Sequence, residues 1–276
     1  MSHFYEDLNN PEVVSVIDEL SFWSAPFGIR LLDVVQYKRN IRALDIGCGL
    51  GFPLLELAMR LGDTSRVYGI DPWKAGLDRV RQKIAMCELS NAEAIEGHAE
   101  EMPFEDSYFD LIVSNNGINN VSDLDKTFEE CRRVSKTGAQ FVFTFNTDQS
   151  FIEFYDVYRQ ILVDQGMQDS QKKLSEHIYS KRKPISEFKE KLRKSGFNVT
   201  SVYEDIFHYR FADATSMLDH FFVKLAFMPS WKEIIPGDRR GKIFEKIEAI
   251  LNQKSRASYG FAMQVPFVTM DCEKKI

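Results

Sequence analysis

The stretch ALDIGCGLG, residues 43–51, places three glycines at alternate positions directly after a short apolar run that contains Asp45. Glycine at this density is typical of a backbone that turns sharply, adopts positive φ and lets another group approach closely. The stretch therefore predicts a strand over Arg42–Ile46, a glycine-rich loop, and a helix that begins near Phe52.

The same alternation of strand and helix continues along the chain. Further strand-like runs cover Val67–Asp71, Ala92–Ile95, Phe109–Ser114 and Ala139–Phe145, and two more are expected over Asn198–Tyr209 and Ser258–Thr269. Between the second and third runs, Leu77, Val80, Ile84 and Cys87 fall on one helix face. A capping box at Ser122–Asp125 opens the helix before the fifth run. This order predicts an α/β fold with a doubly wound, Rossmann-like, mostly parallel seven-stranded sheet and helical cap insertions.

We expect one domain over residues 1–276. Within it we assign 1–40 to an N-terminal helical cap, 41–147 to a ligand-binding core, and 148–182 and 212–256 to helical insertions. Residues 183–211 and 257–276 supply the remaining helix and strands of the sheet.

Composition and charge narrow the class of protein. The chain is 44% hydrophobic and 28% charged, which is ordinary for a globular protein. Four cysteines without CxxC spacing and an N-terminus without an apolar segment favour a reduced, cytoplasmic setting, no metal site and no membrane partner. The whole chain has a net charge of −6. Residues 172–256 hold 18 Lys and Arg against 11 Asp and Glu, a balance of +7, and residues 257–276 sum to zero. Residues 1–171 therefore have a net charge of −13. Nucleic acid is therefore disfavoured as a partner of the core.

The glycine loop differs from the common phosphate-binding loops. A dinucleotide fingerprint needs glycine where Phe52 stands, and no Lys-Ser/Thr pair follows as in a P-loop. Asp45 places a carboxylate beside the loop, which repels a pyrophosphate and attracts a cation. A ligand that has an ammonium and a carboxylate but no phosphate suits these groups, and S-adenosylmethionine is such a ligand.

Three segments in order resemble the class I S-adenosylmethionine-dependent methyltransferases. LDIGCGLG at residues 44–51 is similar to the first motif of that family, D-x-G-x-G-x-G, and Asp71 stands where its acidic residue ends the second strand. The segment GHAEEMPFEDSYFDLIVSN, residues 97–115, is similar to the family's G-D-A-x-x-L-P-F…F-D-x-V-x-S. The resemblance covers residues 41–145 and fades beyond them.

The resemblance implies the fold, the cofactor S-adenosyl-L-methionine and a set of cofactor contacts. The implied contacts are Asp45, Gly47, Cys48, Gly49, Gly51, Asp71, Pro72, Trp73, Ala99, Glu100, Asn115 and Asn116. In this assignment the glycine loop passes beneath the methionine part, with the loop aspartate near its ammonium. Asp71 holds the ribose, the two residues after it flank the adenine, residues 99 and 100 approach the adenine edge, and the asparagines face the methionine end.

Two positions depart from the family pattern. His98 stands where the family usually has aspartate, and GINNV at residues 117–121 replaces a commoner V-L-H-H stretch. The second departure removes a histidine that could have served as a base, so no catalytic residue is assigned. Methyl transfer does not require one, because alignment of donor and acceptor can supply most of the catalysis.

We expect a methyltransferase that acts on a small-molecule acceptor. An RNA or protein methyltransferase, a non-catalytic S-adenosylmethionine-binding protein and a nicotinamide dehydrogenase are the alternatives. Aromatic side chains near the N-terminus and after the fifth strand are candidates either for a cover over the acceptor or for plain core: Phe4, Tyr5, Phe22, Trp23, Phe151, Phe154, Tyr155 and Tyr158.

Overall fold

The computed structural model describes residues 7–19, 23–256 and 260–275. Its seven strands form one sheet in the order β3-β2-β1-β4-β5-β7-β6. The strands are β1 (Arg42–Ile46), β2 (Arg66–Asp71), β3 (Ala92–Glu96), β4 (Phe109–Asn115), β5 (Ser135–Asn146), β6 (Phe197–Phe211) and β7 (Phe261–Lys274). Strands β1 to β5 pair in parallel and β7 runs antiparallel to β5. The predicted fold class is confirmed.

Helices connect the strands at the predicted places. They are α1 (Pro11–Glu19), α2 (Ala25–Val34), α3 (Leu54–Leu61), α4 (Lys74–Met86), α5 (Leu124–Val134), α6 (Ile152–Asp164), α7 (Gln168–Lys181), α8 (Ile185–Lys194), α9 (Ala214–Asp219), α10 (Phe221–Ala226), α11 (Met228–Glu233) and α12 (Arg240–Ser255). In the part of the chain that the structure describes, no helix has the length and apolar character needed to span a bilayer.

The start of α5 differs from the predicted capping box. Asp123, rather than Ser122, is the N-cap, and its side chain accepts a hydrogen bond from the Lys126 N–H. The Ser122 N–H instead donates to the Glu100 carboxylate at 2.6 Å. The sequence pattern predicted the start of the helix to within one residue. It could not choose between Ser122 and Asp123, because both residue types are good N-caps and the choice depends on the tertiary contact with Glu100.

The central strands are buried on both faces. Ala43 and Leu44, and likewise Leu111 and Ile112, are neighbours along a strand but belong to two different apolar clusters. Successive strand residues point to opposite faces, so each cluster covers one face of the sheet. The carboxyl ends of these parallel strands lie together at one edge of the packed sheet.

The chain divides into two compact units. The first contains 1–146, 184–205 and 267–276, and the second contains 147–183 and 206–266. Both predicted helical insertions fall in the second unit. The single-domain organisation of the whole chain stays a prediction.

Aromatic residues form the core of the second unit. The side chains of Phe151, Phe154, Tyr155, Tyr158 and Trp231 are all fully buried. Of the other aromatic candidates, Phe4, Tyr5 and Phe22 lie outside the described residues. The aromatic run after the fifth strand is therefore core.

A polar cluster lies inside this aromatic core. The Tyr155 hydroxyl accepts hydrogen bonds from Trp231 Nε1 at 2.9 Å and from Arg182 Nη1 at 3.2 Å. A phenol oxygen has two lone pairs and one proton, so its proton points to His177 Nε2, 3.3 Å away. His177 must accept it as the neutral ring, and burial lowers the pKa of His177 to about 4.

This arrangement predicts an acid-sensitive fold. A histidine binds a proton at its ordinary pKa of about 6.5 when unfolded, whereas the folded state resists protonation until about pH 4. The free energy of unfolding should therefore fall as pH falls through this window, by about 2 kcal/mol between pH 7 and pH 5. Urea unfolding at both pH values should show that His177→Gln loses this part of the pH dependence. The exposed-histidine variant His208→Gln should keep the wild-type dependence, and equal slopes for all three proteins would refute the assignment.

Candidate cofactor site

The glycine loop after β1 consists of left-handed residues. Gly47, Gly49 and Gly51 have φ values of +71°, +51° and +101°. A Cβ on Gly47 would lie 2.8 Å from the Gly117 Cα, so that glycine is required by the fold. A Cβ on Gly49 would meet no atom of the described part of the chain within 4 Å. Gly49 therefore presents bare backbone to open space.

Asp71, at the end of β2, ties this loop in place. Its Oδ2 accepts the Gly49 N–H at 2.9 Å, and its Oδ1 accepts the Trp73 N–H at 2.8 Å. Each carboxylate oxygen can accept a further hydrogen bond. Asp71 thus fixes the loop and retains acceptor capacity for a ligand.

A cavity of about 680 Å³ opens beside the loop at the carboxyl ends of the parallel strands. Nine of the twelve predicted site residues line it: Gly47, Gly49, Asp71, Pro72, Trp73, Ala99, Glu100, Asn115 and Asn116. Ligands of open α/β sheets bind at this edge, near the point where the strand order reverses. Here the reversal lies between β1 and β4.

Asp45 is not part of the cavity wall. Its side chain is fully buried, and within residues 7–19, 23–256 and 260–275 neither carboxylate oxygen has a hydrogen bond of normal geometry. Burial raises its pKa well above the ordinary value, the nearby Leu54 N–H acts in the opposite direction, and the charge of Asp71 raises it further. Its predicted contact with an ammonium stays a prediction.

Cys48 and Gly51 also lie beneath the cavity rather than in its wall. The Cys48 thiol packs against Gly69, where a Cβ would come within 2.8 Å of its sulfur, and burial raises the thiol pKa. A Cβ on Gly51 would lie 3.1 Å from Leu55 Cδ1. Both residues support the loop from below.

The opposite end of the cavity is formed by the segments after β2 and β3. Trp73 Nε1 donates to the Leu8 carbonyl at 3.0 Å, which holds the chain before α1 against this wall. The Glu100 carboxylate accepts the N–H groups of Ser122 and Asp123. Both bonds end on Oε1, so the Glu100 side chain fixes the start of α5 while Oε2 retains acceptor capacity. His98 lines the same wall.

Two asparagines end β4. Asn115 Nδ2 donates to the Ser24 carbonyl at 3.0 Å, and its Oδ1 accepts from Thr144 Oγ1 at 3.0 Å. Asn116 has φ +60° and its N–H donates to the same Thr144 oxygen. The side chain of Asn116 is engaged by Asn119. Ser24, Thr144 and Asn119 were not predicted as site residues, although the asparagine-rich run 115–120 marked the segment.

An ionic contact links the N-terminal helix to the glycine loop. Asp18 of α1 pairs with Arg79 and Lys83 of α4, and Lys83 Nζ also donates to the Leu50 carbonyl at 2.8 Å. This link could not be predicted from the sequence, since none of these residues lies in a motif. Among residues 7–19, 23–256 and 260–275, no three His, Cys, Asp or Glu side chains are grouped so as to hold a metal ion.

A family model described as a methyltransferase domain matches residues 44–143. Curated relatives include the demethylmenaquinone methyltransferase of Bacillus mycoides, which is 33% identical over 130 residues. That match covers 47% of this chain and 54% of the relative. The chain thus spans about half the length of the curated relatives it matches.

Solved structures share the fold. A methyltransferase-like structure from Bacillus halodurans has a TM-score of 0.59 at 16% identity and covers 90% of this chain and 99% of that chain. Phosphoethanolamine N-methyltransferase 2 of Haemonchus contortus, in complex with S-adenosyl-L-methionine, has a TM-score of 0.58 at 15% identity. The match covers 99% of this chain and 59% of that chain. At this identity the likeness concerns the fold alone. Residues 44–143 thus match a methyltransferase domain in sequence, and the chain shares the fold of solved methyltransferase structures.

Proposed function

We propose that this protein transfers a methyl group from S-adenosylmethionine to a small-molecule acceptor, in the cavity beside the glycine loop. One observation carries the proposal. Among the described residues, no atom lies within 4 Å of the position of a Cβ on Gly49, while the Gly49 N–H is fixed on Asp71. A loop held open in this way accepts a ligand in direct contact with its backbone.

The wall offers each part of the cofactor a suitable partner. The glycine loop lies beneath the methionine part, and the free lone pairs of Asp71 accept the two ribose hydroxyls. Trp73 offers an aromatic face to the adenine; its ring is held by the Leu8 carbonyl and by close contact with Gly76. These roles follow the resemblance and are proposals.

S-adenosylmethionine, when bound, supplies an already activated methyl group. The contribution of this chain is to orient the two reactants and to exclude water. At the ends of β4 and β5 the fixed groups are neutral: Asn115, Asn116 and Thr144 form one hydrogen-bonded set. This set can align an acceptor but cannot remove a proton from it, so we assign no general base.

The cavity of about 680 Å³ lies within the range of about 300–1,000 Å³ that is typical of small-ligand sites, which fits the cofactor. Two considerations favour a small acceptor. Residues 1–171, which include all residues that line the cavity, have a net charge of −13, which opposes binding of a polyanion there. The curated relatives are demethylmenaquinone methyltransferases.

The first experiment separates the cofactor classes. S-adenosylhomocysteine should bind the wild-type protein with micromolar affinity in calorimetry, while NAD should bind far more weakly because the loop has Phe52 in place of the third glycine. Preferential binding of NAD would contradict the proposal. Methyl transfer from labelled cofactor to fractionated metabolites, compared with total RNA and protein, then distinguishes the enzyme alternatives from a non-catalytic binding protein.

Gly49→Ala tests the open loop. The added methyl group enters the space assigned to the ligand, so affinity for S-adenosylhomocysteine should fall at least about tenfold. The left-handed backbone costs about 1–2 kcal/mol of stability in the variant.

Gly166→Ala is the matched control for Gly49→Ala. Gly166 has φ +64°, and no atom of the described residues lies within 4 Å of its Cβ position, but Gly166 lies after α6, in the second unit. Unfolding and calorimetry should show similar destabilisation in both variants and weaker binding in Gly49→Ala alone. Equal affinities in the two variants would remove the loop from the ligand site.

Asp71→Ala tests the ribose contact. Loss of the charge-assisted hydrogen bonds to the ribose should weaken binding of S-adenosylhomocysteine. The loss should exceed the loss for the 2′,3′-dideoxy analogue, which lacks the ribose hydroxyls, by about 1.5–3 kcal/mol. The comparison of the two ligands separates the ribose contact from the loss of the bonds to the Gly49 and Trp73 N–H groups. Asp78→Ala, on the outer surface of α4, should bind both ligands as the wild type does. An equal penalty for both ligands in Asp71→Ala would limit Asp71 to holding the loop.

A further inference from the structure

We propose that Asn119 is a positioning residue, which holds the Asn116 amide so that Asn116 Nδ2 donates to the carboxylate of the cofactor's methionine part. The inference rests on the proposed function and adds to it. It assigns the end of β4 to recognition of a carboxylate rather than of an ammonium.

The amide of Asn119 joins two other asparagines. Its Nδ2 donates to Asn116 Oδ1 at 3.1 Å and to Asn146 Oδ1 at 3.0 Å. An amide nitrogen carries two protons, so both are used. Both partners are therefore held with their oxygens toward Asn119 and their NH2 groups away from it.

The remaining donor of Asn116 has no partner in the described part of the protein. Asn116 Nδ2 is buried without a hydrogen bond, and Asn116 lines the cavity. Its backbone is fixed on both sides, because the N–H donates to Thr144 Oγ1 and the carbonyl accepts from Asn120 Nδ2 at 3.3 Å. Only the direction of the side-chain amide is left to be set, and Asn119 sets it.

The position of this donor matches the methionine end. Strand β4 lies next to β1 and on the side opposite to β2, whose Asp71 is assigned to the ribose. Gly117, which follows Asn116, packs directly on the glycine loop, where its Cβ would lie 3.1 Å from the Gly47 Cα. The methionine part carries a carboxylate, which accepts hydrogen bonds, and an ammonium, which only donates them. A fixed N–H donor selects the carboxylate.

Asn119→Asp should reverse the orientation of the Asn116 amide. A carboxylate donates no hydrogen bond, so the Asn116 amide turns its Nδ2 toward residue 119 and presents its oxygen to the cavity. We expect the Kd for S-adenosylhomocysteine to rise at least about tenfold in calorimetry at pH 8. The Kd for 5′-methylthioadenosine, which lacks both the carboxylate and the ammonium, should change little. A merely structural role would weaken both ligands together.

Asn146→Asp is the matched control. The Asn146 side-chain oxygen already accepts a hydrogen bond from Asn119. An aspartate at position 146 can accept the same bond, so the orientation of the Asn119 amide is kept while an equal negative charge is added on the other side of Asn119. Affinity for both ligands should stay near the wild-type value. Asn116→Asp, which presents an acceptor to the cavity directly, should repeat the ligand-selective loss and serves if Asn119→Asp does not fold.

The outcomes are separable. A wild-type protein that fails to bind S-adenosylhomocysteine refutes the proposed function and this inference with it. Wild-type binding together with an unchanged ratio of the two Kd values in Asn119→Asp refutes the inference alone. That second result would indicate that the amides of Asn116, Asn119 and Asn146 all have the opposite orientation, with Asn119 as the acceptor. The carboxylate introduced by Asn119→Asp would then preserve their hydrogen bonds.

Discussion

The hydrogen bond from the Gly49 N–H to the Asp71 carboxylate is the constraint on which the site depends. It joins the loop after β1 to the end of β2, and the same carboxylate accepts the Trp73 N–H before α4 begins. From α4, Lys83 reaches back to the Leu50 carbonyl and to Asp18 of the N-terminal helix. One carboxylate and one ammonium thus hold the loop from two sides. The middle glycine of the loop can therefore stay open toward the cavity.

The sequence predicted those features in which the backbone conformation restricts the type of residue that fits. Gly47 and Gly49 need left-handed φ, which few other residues tolerate, so their spacing identified the loop before the structure did. The alternation of apolar runs likewise predicted a parallel sheet, because strands such as β4 are buried on both faces. Asp71 was predicted from the resemblance to a family whose second strand ends in an acidic residue, although its bonds to the loop were not predicted.

The features that the sequence could not predict depend on tertiary contacts between distant residues. Asp45 belongs to the glycine motif, yet it is buried beneath the loop rather than in the cavity wall. The direction of the Asn116 amide is set by Asn119, which is linked in turn to Asn146 on the next strand. The division into two units was also not predicted, because the second unit is built from two stretches separated by 22 residues that belong to the first.

The central claim is that the cavity beside Gly49 holds S-adenosylmethionine with its ribose on Asp71. A crystal structure of the protein with S-adenosylhomocysteine tests it most directly. The account predicts the ligand across the carboxyl ends of β2, β1 and β4, with both ribose hydroxyls within hydrogen-bond distance of the Asp71 carboxylate and the methionine part over Gly49. Ligand density elsewhere, or a ribose without contact to Asp71, would contradict it.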